Sequence, residues 1–173
     1  MMNPKSQSNI YYFAYGSNIN LDQMAYRCPN AEPRMAVTLD GYELLFRRGG
    51  FATIAPKEGG QVQGLIWKLT PQCVASLDGY EGYPRFYDKQ AVWVKSLSGA
   101  KVPVMTYVMT DEHTKVPTMP TAHYYDGILQ GYLANEMPTE ALNSAVEHCK
   151  KEVAEMERNL PIQKKKGGQN HER

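Results

Sequence analysis

Hydrophobic positions fall into two regimes along the chain. Up to residue 109 they come as short β-branched and aromatic runs separated by glycines, and beyond residue 121 they recur at helical spacing. The run at residues 10–14 precedes Gly16 and predicts a buried first strand ending in a turn. Asn20 predicts the N-cap of a short helix through Arg27, with Gln23 three residues on and Pro29 just beyond. Residues 35–39, 42–47, 52–55 and 62–69 predict four strands of an antiparallel or mixed sheet, punctuated by Gly41, Gly49-Gly50 and Gly59-Gly60. Thr70-Pro71 is a helix start that turns Val74 and Leu77 inward. Gly79 is its expected left-handed terminator, so Glu81 is expected immediately past the helix end. Residues 88–96 and 102–109, joined at Ser98-Gly99, predict the last two strands.

Residues 111–120 carry two prolines and little periodicity, and read as a loop. Residues 121–135 then predict a helix with Tyr124 or Tyr125, Ile128 and Tyr132 on one side, despite Gly127 and Gly131. After Pro138, the residues Leu142, Val146, Cys149, Val153, Met156 and Leu160 form a narrow apolar seam. The seam is too short for a coiled coil, so it is expected to dock on the chain's own body rather than on a partner. The expected organisation is one α+β domain over residues 10–137, with a helix at 138–160 packed on it. A disordered stretch at 1–9 and a flexible basic tail at 161–173, containing Lys164 to Lys166, complete it.

The chain has 173 residues, 42% of them hydrophobic, which suits a single domain with a real core. With 19 basic against 18 acidic side chains there is no field to gather phosphate backbones or anionic lipid, so neither nucleic acid nor membrane is the expected partner. No apolar run approaches the roughly 20 residues a membrane helix needs, and a cytoplasmic setting is expected. Cys28, Cys73 and Cys149 are odd in number and widely spaced, which argues for reduced packing thiols. The four histidines form no close pair, and no metal or cofactor is expected.

Three places are candidates for chemistry. At Tyr15-Gly16-Ser17-Asn18, between a buried strand and a helix start, consecutive N–H groups form either an ordinary turn or a receptor for an anion or carboxylate. Ser17 lacks the G-x-S-x-G setting of a nucleophile, so a positioning role fits it better. Glu81, flanked by glycines with aromatics close by, is either a solvated loop glutamate or a carboxylate whose desolvation raises its pKa toward that of a general base. The competing Asp78 falls in the helix's last turn, less free to reach a substrate. Tyr124 packs in the core or lends a hydroxyl to the same pocket.

Taken together, the residues resemble the γ-glutamylcyclotransferase-like (AIG2-like) family over about residues 10–133. The resemblance rests on Tyr15-Gly16-Ser17-Asn18, Leu39-Asp40-Gly41-Tyr42 and Ala52-Thr53-Ile54, then Val62-Gln63-Gly64-Leu65-Ile66-Trp67. It continues through Leu77-Asp78-Gly79-Tyr80-Glu81-Gly82 with Tyr87, and Pro120-Thr121 leading to Tyr124, Ile128 and Gly131. It implies a small mixed β-barrel flanked by helices, with the pocket at the barrel mouth. It also implies cofactor-free cyclisation of a small-molecule γ-glutamyl amide to 5-oxoproline. Glu81 would be the general acid/base, the amides of Gly16, Ser17 and Asn18 would hold substrate, with Tyr15 in the same loop, and Tyr124 would contact its α-amino or carboxylate end. Ile19 where many relatives have leucine, and Pro-Thr in place of Pro-Ser, remove no functional group. The alternatives are a non-catalytic ligand-binding module of the same fold, or removal of a γ-glutamyl group from a larger amine conjugate. The expected assembly state is a monomer or weak homodimer.

Overall fold

The computed structural model describes residues 10–160, so the expectations for residues 1–9 and 161–173, lysines 164–166 included, lie outside the described residues. Five strands close a mixed barrel in the order β1-β3-β2-β4-β5, formed by β1 (Ile10–Ala14), β2 (Glu32–Arg47), β3 (Phe51–Leu69), β4 (Tyr87–Lys95) and β5 (Lys101–Met109). Four helices flank it: α1 (Leu21–Arg27), α2 (Pro71–Glu81), α3 (Ala122–Ala134) and α4 (Glu140–Arg158). β1 runs antiparallel to β3, from Ile10↔Leu69 to Ala14↔Leu65, and parallel to β5 at Tyr12↔Met105, which closes the barrel. The interior is filled by side chains, with Phe13, Leu39, Phe46, Val62, Val94 and Tyr107 almost completely buried.

Two differences from the sequence reading have local physical causes. The four strands expected between residues 35 and 69 are two, of 16 and 19 residues. Gly49-Gly50 separate the two, but the other glycines fall inside them: Gly41, at φ 83°, lies in a bulge where the register steps from Asp40↔Gln61 to Tyr42↔Pro56. The second difference is at α2, where Thr70 caps the N-terminus as expected by accepting from Cys73 N–H. Gly79 stays helical, and the terminator is Gly82, at φ 67°, with Tyr83 N–H closing back on Asp78 O at 2.9 Å. Glu81 is therefore the last residue of the helix, held on a rigid element and not on a free loop.

Helix α3 packs Ile128 and Tyr132 into the core, and its two glycines explain themselves by proximity. A Cβ on Gly131 would stand 2.8 Å from the backbone of Ile19 and Asn20. Asn20 Nδ2 donates to Gly127 O at 2.9 Å, and Asn135 Nδ2 donates to Ile19 O at 3.2 Å. Helix α4 lies across β2 with Leu142 and Cys149 buried, while Leu160 at the end of the seam is exposed. A paired contact between Arg47 and both Glu152 carboxylate oxygens, at 3.0 and 2.9 Å, ties this helix to the barrel. Arg47 Nε also donates to Thr114 O at 3.0 Å, which holds the loop after β5.

Candidate active site

Past β1 the chain turns through Tyr15 and Gly16 into a single 3-10 turn, Ser17–Ile19, ahead of α1. Ile19 N–H donates to Gly16 O at 3.1 Å and Asn20 N–H to Ser17 O at 3.0 Å. The N–H groups of Ser17 and Asn18 precede the first bond the turn makes for itself, so they are its available donors. Asn20 then caps α1, accepting from Gln23 N–H at 2.9 Å. Trp67 Nε1 donates to Asn18 O at 2.9 Å and fastens the loop to β3.

The side chain of Asn18 is the hub of this site. Its Oδ1 accepts from Arg27 at 2.6 Å, and its Nδ2 donates to the Tyr12 hydroxyl at 2.9 Å and to Glu81 Oε1 at 3.3 Å. Rotating the amide would set nitrogen against guanidinium and oxygen against carboxylate, so the orientation is fixed by its partners. Arg27 also donates to Ser17 Oγ at 3.1 Å and to Gln23 Oε1 at 2.7 Å, and its guanidinium lies 3.9 Å over the ring of Tyr80. One cation thereby organises both the loop and the end of α2.

Glu81 is partly buried beneath this network. Burial raises its carboxyl to about 7, and the Arg27 charge and the Asn18 hydrogen bond pull against that rise. Asp78, one turn earlier, is engaged elsewhere: Oδ1 accepts from the Tyr107 hydroxyl at 2.5 Å and Oδ2 from Lys89 at 3.0 Å. The Tyr124 hydroxyl accepts from Ala52 N–H at 3.0 Å, close above Gly16. Tyr15 is buried and donates its hydroxyl to Tyr107 O at 2.6 Å, and Tyr87 donates to Ala52 O at 2.6 Å. Burial pushes the hydroxyls of Tyr12, Tyr15, Tyr87 and Tyr124 well above the usual phenol range, so all are protonated at neutral pH.

These groups surround a cavity of about 360 Å³ at the barrel mouth. Tyr15, Gly16, Ser17, Asn18, Glu81 and Tyr124 all line it, although more than 100 residues separate the loop from Tyr124. Tyr12, Phe51, Phe86 and Tyr107, which the sequence does not single out, also line it, as does Tyr87, which entered only through the resemblance. In the sequence Arg27 marks only the end of the expected α1. Its relation to the loop was visible in the helix spacing, since Asn20, Gln23 and Arg27 share a face that begins beside Asn18.

A closed five-stranded mixed barrel, with one carboxyl raised by burial beside a turn of available amides at its mouth, defines the class of fold and site. The chain matches the gamma-glutamyl cyclotransferase, AIG2-like family over residues 12–126, and it belongs to that family. It is 31% identical over 143 residues to a gamma-glutamylcyclotransferase of Bos taurus, spanning 76% of this chain and 74% of that protein. It is 30% identical over 145 residues to the gamma-glutamylcyclotransferase of Homo sapiens, spanning 78% and 76%. A solved gamma-glutamyl cyclotransferase superposes with a TM-score of 0.70 at 28% identity, over 83% of this chain and 86% of that one. Among the described residues no helix is long and apolar enough to cross a membrane, and no group of three or more His, Cys, Asp or Glu is arranged to hold a metal ion.

Proposed function

We propose that this protein cyclises a small γ-glutamyl amide by intramolecular aminolysis, releasing 5-oxoproline and an amine or amino acid, with Glu81 as the proton carrier. The observation that carries this reading is Glu81 itself, whose carboxyl sits near 7 while hydrogen-bonded to Asn18 of the amide-bearing turn. A group at that value accepts and returns a proton at neutral pH with little bias either way.

The reaction asks for no more. The α-ammonium of the γ-glutamyl group loses one proton to solvent and attacks the γ-carbonyl carbon of the same molecule as an amine. The new ring nitrogen then gives a second proton to Glu81, which passes it to the leaving nitrogen as the amide C–N bond breaks, and the freed amine takes up the first from solvent. Because attack is intramolecular, holding the folded-back substrate supplies most of the advantage, and one positioned acid/base adds about 10²–10⁴-fold. The donors at Ser17 and Asn18 suit the substrate's carboxylate. Because the Tyr124 oxygen accepts from Ala52 N–H, its own proton is the donor it can offer a ligand. The aromatic walls exclude water, which strengthens each of these bonds.

The test is 5-oxoproline release, by mass spectrometry, from γ-glutamyl amino acids, glutathione and γ-glutamyl amines, with wild type beside Glu81→Gln. Release from at least one conjugate that drops at least about 10²-fold in the variant supports the reading. Release that survives the substitution removes Glu81 from the chemistry, and no release from any conjugate leaves a ligand-binding module.

A further inference from the structure

The residues that line the cavity differ in exposure: Tyr12 and Asn18, which bond Glu81 into their network, are buried, whereas Phe51 and Tyr80 are exposed and Phe86 is partly so, which places these aromatics toward the opening. Any γ-glutamyl substrate must place its invariant reacting part inward, so the part that varies between substrates projects toward the opening.

Phe51 is held there in a way that ordinary packing does not require. It is 42% exposed, yet its ring meets Phe86 edge-on at 6.1 Å and Tyr124 edge-on at 5.4 Å. It also lies against Gly49, where a Cβ would stand 2.7 Å from a ring carbon. Behind it, Phe86 stacks on His113 at 4.5 Å. A half-exposed aromatic ring locked by three neighbours is a preorganised apolar surface, because its conformational entropy has already been lost. No Lys, Arg or His side chain lines the cavity among the described residues. The walls therefore offer no ion pair to an acidic side chain, and what they present at the opening is aromatic surface.

We propose that Phe51 is a specificity-determining residue, with Phe86 behind it, and that the preferred leaving groups are apolar amines or amino acids with aromatic or long aliphatic side chains. This rests on the cyclotransferase reading above, and deepens it.

The test compares kcat/KM for γ-glutamyl-phenylalanine, γ-glutamyl-glycine and the γ-glutamyl conjugate of the lysine side-chain amine, in wild type and in Phe51→Ala and Phe51→Leu. Wild type is expected to favour the phenylalanine conjugate over the glycine conjugate by about tenfold, the worth of covering roughly half an aromatic side chain. Phe51→Ala should bring the ratio near one, and Phe51→Leu should restore part of it. A wild-type preference for the glycine or lysine conjugate overturns the proposal, as does a ratio that Phe51→Ala leaves unchanged. If no conjugate is turned over, calorimetric binding of the phenylalanine and glycine conjugates separates the two ideas. Tighter binding of the former that is lost in Phe51→Ala keeps the subsite while the reaction falls, and equal or absent binding overturns both.

Discussion

Replacing Arg27 with methionine keeps a stem against Tyr80 and removes the one charge that organises the site. Two hydrogen bonds, 2.6 and 3.3 Å long, connect Arg27 through Asn18 to Glu81. That path puts the guanidinium on the order of 8 Å from the carboxylate, where a unit charge is worth about 2 kcal/mol at an effective dielectric of about 20. Partial exposure of the site reduces this to roughly 1 kcal/mol. The charge favours the ionised carboxylate, so its loss raises the pKa of Glu81 further. The acidic limb of kcat/KM, which reports the base in the free enzyme, should move up by roughly 0.7 pH. Starting from a carboxyl near 7, the ionised fraction at pH 7 falls about threefold, and at pH 9 it hardly changes. Any disturbance of the loop multiplies the rate by one factor at every pH, so full profiles of both proteins distinguish charge from positioning. An unmoved limb, whatever the loss of rate, would refute the argument.

Glu81→Gln carries a second expectation, in stability. The folded carboxyl lies near 7 against an ordinary value of 4.5, so the folded state binds this proton more tightly. That contribution is present below 4.5 and is lost as pH rises through 7. After allowance for partial exposure, Glu81→Gln should melt with the wild type at pH 4 and about 4 °C above it at pH 8, by calorimetry; coincident curves would deny the burial cost. Tyr132 holds the one buried side-chain polar atom without a partner among the described residues. Tyr132→Phe should stabilise by about 1 kcal/mol in urea unfolding, and a loss of that size would mean the hydroxyl finds an acceptor in solution. Gly131→Ala should cost about 2 kcal/mol by overpacking against Ile19 and Asn20, and should lower activity because those residues support the turn; wild-type stability would disprove the close contact.

Much of the architecture was legible because local chemistry and tertiary structure agree. Asn20 and Thr70 cap the helices they were read to cap, and Ser98-Gly99 joins the last two strands. Where the reading failed, a residue's meaning depended on distant neighbours. Gly41 and Gly59-Gly60 look like strand ends, but pairing along β2 and β3 continues past them. Gly79 was the expected terminator, and only the bond from Tyr83 N–H to Asp78 O moves the helix end to Gly82. The loop and Glu81 stood out by their glycine surroundings. Phe51, Phe86 and Tyr107 did not, since nothing in an aromatic's own neighbourhood along the chain says which wall of a barrel it faces.

The turn at Ser17–Ile19 owes part of its placement to α3, through Gly127, Gly131 and Asn135. This carries a consequence for biosynthesis. A nascent chain holds the amide-bearing turn and Glu81 long before residues 122–135 have been made. Until those residues emerge and dock, Asn20 and Ile19 lack their partners on α3, and the turn is held from the barrel side alone, by Trp67 and Tyr12. The cavity therefore lacks one of its walls until α3, which carries Tyr124, has been made.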